Sequence, residues 1–169
     1  MDKVQLAVEI RAGKHAGAVL SSVDLSGCDL GGSNLAGARL SGANLAGANL
    51  RGANLRETFF DGADLRGADL SEADLEFAVL GAADISEADL TNANIQRANL
   101  VGTKGHNARF DGALLYYSRP GNADFQGASF KRADIRRAIF RRANLAGASF
   151  EGAEGQANFE NANLEGVRR

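Results

Sequence analysis

Four kinds of side chain in this 169-residue sequence could do chemistry, and their spacing decides which chemistry is open to them. Carboxylates crowd the middle, at Asp61, Asp64, Asp69, Glu72, Asp74, Glu76, Asp84, Glu87 and Asp89. Cationic groups gather later, at Lys131, Arg132, Arg136, Arg137, Arg141 and Arg142. Residues 1–95 hold 14 acidic and 7 basic side chains and residues 96–169 hold 7 and 12, so a formal net charge of −2 hides a strongly dipolar chain. The histidines, His15 and His106, stand outside any metal or nucleophile motif such as HExxH or GxSxG. Cys28 is alone, which excludes an intramolecular disulfide and a cysteine metal cluster. The carboxylates recur at regular intervals, as a structural ladder does, rather than as a tuned acid and base. No catalytic residue, metal or cofactor is expected, which leaves binding as the class of function.

These groups are positioned by a period of five. Large apolar residues stand at Leu20, Leu25, Leu30 and so on to Leu100, and again from Phe110 through Phe150. Two residues before each is a small one, as at Ala43, Ala48 and Ala53, with Asn or Asp between, as at Asn44, Asn49, Asp64 and Asp69. Five fits neither the 3.6 of an α-helix nor the 2 of a strand. A turn every five residues does fit, and stacking such turns buries a continuous column in which each coil supports its neighbours. The 21 glycines belong to this pattern, recurring at turn positions such as Gly42, Gly47, Gly52, Gly62 and Gly67. With 44% apolar residues, no signal-type apolar run after Met1 and no membrane-length stretch, one soluble cytoplasmic domain is expected.

The unit A(N/D)LXX, repeated from about Ala18 to Leu164, resembles the pentapeptide repeat family. The resemblance implies an all-β fold, a right-handed quadrilateral parallel β-helix with four repeats, or about 20 residues, per coil. About 7 coils at the 4.7–4.9 Å spacing of paired strands make a column about 35 Å tall. Residues 1–13 are expected to form a short capping helix, with Val4, Ala7 and Val8 at helical spacing, Leu6 and Ile10 beside them and Gly13 as its stop, and residues 14–169 the β-helix.

A twenty-residue coil also organises the exceptions. The Asn/Asp position is most often replaced at Val19, Arg39, Phe59, Val79, Arg119 and Ile139, all separated by multiples of twenty, so one face differs chemically. On that face and its adjacent corner, Phe59, Phe77, Val79, Tyr117 and Ile139 stack with Arg39, Arg97, Arg119 and Arg137. Aromatic residues interleaved with arginine are the composition of a protein-binding hot spot; the bland alternative is that they merely cover the coil. The basic cluster should ring three corners of one coil, and each charged cluster is either a solvated face or a recognition surface. Register should survive Gly105 and Pro120, which fill apolar slots, whereas Phe150 and Phe159 are nine residues apart, implying a one-residue deletion near Glu154 to Gln156.

Two functions follow. The first is a non-enzymatic protein-interaction scaffold with an unnamed protein partner. The second comes from the resemblance: some pentapeptide proteins mimic duplex DNA, occupy gyrase or topoisomerase IV and protect it from quinolones, and the acidic middle suits that role. The near-neutral net charge and the arginine cluster count against it. Direct nucleic-acid binding lacks a strongly basic balance. For the last coil, with Phe159 and Leu164, the resemblance implies an end-to-end homodimer, against the alternative of a frayed coil shielded by Arg168 and Arg169.

Overall fold

Each five-residue unit carries the chain around one corner of a square. The computed structural model describes residues 2–169; Met1, which begins the expected helical segment, lies outside them. The unit from Leu25 to Asp29 shows the construction. The Cys28 N–H donates to the Leu25 carbonyl at 3.1 Å, closing a turn over Ser26 and Gly27 in which Gly27 takes φ +65°. That is the pattern of a type II turn, with positive φ at its third residue. Asp29 then forms one parallel bridge to Asn49 on the next coil. Around that bridge the Leu30 N–H donates to the Asn49 carbonyl at 2.7 Å, and the Asn49 N–H to the Cys28 carbonyl at 2.9 Å.

Repetition of this unit produces a right-handed, four-sided parallel β-helix. Bridges from Val19–Arg39 to Asp134–Glu154 join residues twenty apart, one residue per side of each coil. Residues on either side of a bridge point inward: Leu25, Leu30, Leu35, Ala38 and Ala43 are all fully buried. Bridge residues point outward, and the Asx oxygen of many of them accepts from the backbone of its own following turn. Asp69 takes the Ser71 N–H at 2.9 Å, Asp84 the Ser86 N–H at 3.0 Å and Asp89 the Thr91 N–H at 2.9 Å.

The second turn residue is left-handed whatever its identity. Where it is not glycine, as at Phe77 (φ +61°), Arg97 (+58°), Tyr117 (+57°) and Arg137 (+59°), the backbone carries a cost of about 1 kcal/mol each.

Helix α1, Lys3–Arg11, closes the first coil. Asp2 caps it by accepting the Gln5 N–H at 2.8 Å, and Gly13 follows its end at φ +78°. Leu6, Ala7 and Ile10 are buried and join the core of the column. Val4 and Val8 do not, contrary to the sequence expectation; the leucine and isoleucine face outcompetes them and leaves both largely exposed. Arg11 to Asp29 at 2.8 Å and the Lys3 ammonium to the Ser26 carbonyl at 2.9 Å tie the helix to the coils. No helix among the described residues is long and apolar enough to cross a membrane.

The core changes character along its length. Leucine fills the first coils, whereas Phe110, Phe130 and Phe150 stack in one column with successive centroids 4.7 Å apart and rings within 6° of parallel. Phe125 and Phe140 meet them edge-on at 5.3–5.8 Å, the geometry aromatic quadrupoles prefer. Register survives Gly105 as expected, because the Phe125 ring of the next coil fills its slot: a Cβ on Gly105 would lie 2.5 Å from that ring. At Pro120 register also holds, but Leu80 and Leu100 in the same column donate N–H to Asn99 and Arg119, and Pro120 has no N–H to give. The Arg119–Ile139 bridge is missing from an otherwise regular series. The deletion is real: beyond Gly155 (φ +90°) the bridges Ile139–Asn158, Asn144–Asn163 and Ser149–Arg168 join residues nineteen apart.

Restoring the repeat's leucine at position 105 should therefore harm the protein. Gly105→Leu overpacks the slot and is expected to cost about 1–3 kcal/mol in chemical denaturation, and Phe125→Leu in the same chain should return most of it. Acid should weaken the fold in a defined window. The Arg66 hydrogen bond holds the Asp64 carboxyl below its ordinary value, Arg136 does the same for Asp134, and Lys131 for Glu151. These groups bind protons less readily folded than unfolded, so their contribution is complete above the ordinary carboxylate range and is lost as pH falls through it. The thermal midpoint should be level between about pH 5 and 7 and fall below about pH 4, and Asp64→Asn with Asp134→Asn should blunt the fall.

Candidate interaction surface

Stacking at twenty residues per coil turns sequence positions into vertical columns, and two adjacent columns carry the unusual chemistry. The irregular face runs Val19, Arg39, Phe59, Val79, Asn99 and Arg119 along continuous bridges, with Ile139 above the gap at Pro120. The corner beside it runs Phe77, Arg97, Tyr117 and Arg137, each at the left-handed turn position. Here rings and guanidinium groups alternate. Arg97 lies over the Phe77 ring at 5.4 Å and Arg137 over Tyr117 at 5.1 Å, while on the face Arg39 lies over Phe59 at 5.3 Å, within cation–π range. Arg137 also donates to the Tyr117 hydroxyl, the main cause of its raised guanidinium pKa.

The stripe predicted from sequence is thus contiguous, with one correction. Phe77, Tyr117 and Ile139 are 44%, 40% and 36% exposed, but Phe59 and Val79 are half-buried. Arg39 covers Phe59, so these two serve as flooring. Phe77, Arg97, Tyr117, Arg119 and Ile139 surround an open hollow of about 400 Å³. A second hollow of about 170 Å³, lined by Val101, Gly121 and Arg142 among others, shares Arg119 and Ile139 with it. Two members of the surface escaped sequence reasoning. Val101, 42% exposed, occupies the opposite corner of the irregular face; Tyr116 packs edge-on against Tyr117 at 4.7 Å beneath Arg136 at 5.7 Å. Counting twenty residues from Val101 to Gly121 and from Tyr116 to Arg136 would have found both.

The acidic surface is less free than its composition suggests. Besides the turn bonds of Asp69, Asp84 and Asp89, Glu72 pairs with Arg51 at 2.5 Å, Asp74 with Arg56 at 3.3 Å, Asp64 with Arg66 at 2.6 Å and Asp89 with Arg109 at 3.2 Å. Glu76 bridges Arg56 and Arg97. Among the described residues, Asp61 and Glu87 stay exposed with no cationic side chain within 4.0 Å. Apart from Asp64–Arg66 within one coil, these pairs cross between coils at separations of eighteen to twenty-one residues, and together they engage five of the nine carboxylates of the patch.

The basic residues do occupy the turns at three successive corners. Arg136 is held by Asp134 at 2.6 Å, Lys131 by Glu151 at 3.0 Å and Arg141 by Glu160 at 3.4 Å, which leaves Arg132, Arg137 and Arg142 without a carboxylate partner among the described residues. The belt is therefore half-neutralised. In the last coil, Phe159 and Leu164 are half-buried and line an open hollow of about 250 Å³ with Ile135, Phe150 and Val167. Among the described residues no group of three or more His, Cys, Asp or Glu side chains converges as a metal site would require.

Against this geometry, known proteins can be compared. The family model for pentapeptide repeats matches residues 18–56, 43–81, 68–104, 83–116 and 121–154. No curated protein matches the sequence. Among solved structures, HetL, a pentapeptide repeat protein involved in heterocyst differentiation regulation from the cyanobacterium Nostoc sp. strain PCC 7120, is 25% identical. It superposes with a TM-score of 0.73 over 97% of this chain and 91% of its own. QnrB1, a plasmid-mediated fluoroquinolone resistance protein, is 21% identical over 92% of this chain and 84% of its own, at a TM-score of 0.43. A pentapeptide repeat protein from the Arabidopsis thaliana thylakoid lumen is 30% identical over 74% of this chain and 70% of its own, at 0.34. The last two superpose too loosely to bear on the surface. Repeat matches across most of the coils and the end-to-end likeness to HetL agree with the square column itself: this chain belongs to the pentapeptide repeat family.

Proposed function

We propose that the protein is a non-catalytic scaffold that docks a protein partner on the irregular face and its aromatic corner. The observation that carries this reading is the column Phe77, Arg97, Tyr117, Arg137. It exposes two aromatic rings beside Ile139 and spends left-handed backbone positions, which glycine would fill without strain, on large side chains. Rigid aromatic and arginine groups around a hollow are the usual anchors of protein interfaces, and strain retained at a surface position points to use. The likeness to HetL, a protein involved in regulating differentiation, supports an interaction role.

The runner-up is a DNA mimic that binds a type II topoisomerase and protects it from quinolones. Exposed Asp61 and Glu87 are in its favour, but most carboxylates of the acidic middle are engaged with arginines or with their own turns. A gyrase supercoiling assay with a quinolone separates the two readings: the scaffold reading expects no protection.

The left-handed corner makes a clean test. Phe77→Gly with Tyr117→Gly removes the anchoring rings at positions where glycine relieves strain, so the melting temperature should hold or rise. Affinity capture from an extract of the cells that make the protein, followed by reconstitution with the partner identified, should lose binding at least about tenfold with this variant. Undiminished binding by a folded variant overturns the reading.

A further inference from the structure

The arginines around the irregular face divide evenly between those held by a carboxylate and those that are not. On the corners flanking the irregular face, Arg56, Arg97, Arg136 and Arg141 each have a carboxylate within reach. Four others around the face are free. Arg39 and Arg119 on the face, Arg137 on one corner and Arg142 on the other have no carboxylate within 4.0 Å among the described residues. Beyond Glu76 these columns hold no acidic residue until Glu160, which is committed to Arg141. Unpaired Arg119 therefore lines the hollow of Phe77, Tyr117 and Ile139 and the second hollow at once, with unpaired Arg142 beside it in the second and unpaired Arg137 over Tyr117.

We infer that the occupant of this face is an acidic protein segment carrying aliphatic or aromatic side chains. Its carboxylates meet Arg119, Arg137 and Arg142, and its apolar side chains enter the hollow between Phe77, Tyr117 and Ile139. The inference rests on the proposed docking role of the face and adds the chemistry of the partner. Guanidinium forks bind carboxylates in bidentate fashion, and complementary charge at a rim steers the encounter and selects the partner. A single-stranded nucleic acid also brings negative charge, but its bases need open ring faces on which to stack. Here Arg97 covers one face of Phe77 and Arg137 one face of Tyr117. An apolar side chain needs only the hollow.

The test uses fluorescein-labelled poly(Glu,Tyr) copolymer as probe, with polyglutamate and oligothymidylate for comparison, read by fluorescence anisotropy on the full chain. Arg119→Glu is set against Arg132→Glu, an equal charge change at an unpaired arginine on a corner remote from the face; melting curves confirm that both variants fold. The copolymer should bind more tightly than polyglutamate and weaken as salt rises from about 0.05 to 0.5 M. Arg119→Glu should weaken it about tenfold or more and Arg132→Glu by less than about threefold. Equal losses in the two variants overturn the inference, as does no binding of the copolymer; tighter, Arg119-dependent binding of oligothymidylate overturns it in favour of a nucleic-acid surface. Should the copolymer fail while Phe77→Gly with Tyr117→Gly still abolishes partner capture, the acidic inference falls and the docking role stands. Partner capture unaffected by that double variant removes the docking role itself.

Discussion

Everything in this molecule depends on burying two side chains for every outward bridge residue. With one bridge per side, no strand is long enough to stand alone, and a coil is held only by the coils above and below it. The inward pair, such as Cys28 and Leu30 around Asp29, supplies the apolar contact. The bridge residue contributes the backbone bonds that fix the coils at one spacing. Because the corner must close in two residues, the second is forced into the left-handed region. Interior, ladder and corner are thus a single constraint seen from three sides, and only outward side chains are free to vary.

That division explains what could be read from the sequence. The period of five, the twenty-residue coil and the anomalous column of Arg39, Phe59 and Val79 were legible because inward and outward positions alternate without exception through most of the chain. The deletion near Glu154 was legible as a spacing of nine. Contacts between coils were harder to see. Whether Asp64 caps its turn, binds Arg66 or does both is decided at the scale of a rotamer, and it does both. The neutralisation of the acidic middle by Arg51 and Arg56 follows from side chains that reach up or down one coil, which periodicity alone does not order. Gly105 reads as a defect until Phe125, one coil on, is seen to occupy its space. Helix α1 misled for another reason: in so short an amphipathic segment Val4 and Val8 are as apolar as the buried face, and only docking reveals which side the column accepts.

The candidate surface exploits the same freedom. Its ring–guanidinium pairs lie one above another because bridged residues are held in vertical register, so the spacing of the anchors is a property of the backbone rather than of the side chains. Pro120 removes one backbone bond beside Ile139, on this surface, and bridging resumes at Asp124–Asn144. A face assembled in this way is rigid in outline, and its chemistry can change by substitution at outward sites that leave the core untouched.

Vertical register also acts as a vernier. The stacked phenylalanines mark rungs 4.7 Å apart, whereas an α-helix laid along the column would advance about 5.4 Å per turn. The two scales slip by about 0.7 Å at each rung, so contacts matched at one level are about 2 Å out of step three rungs later. The column Phe77, Arg97, Tyr117, Arg137 spans three such steps, near the limit that long side chains can absorb. For a helical partner the slip sets the length of the footprint, and lengthening the column would not lengthen the grip.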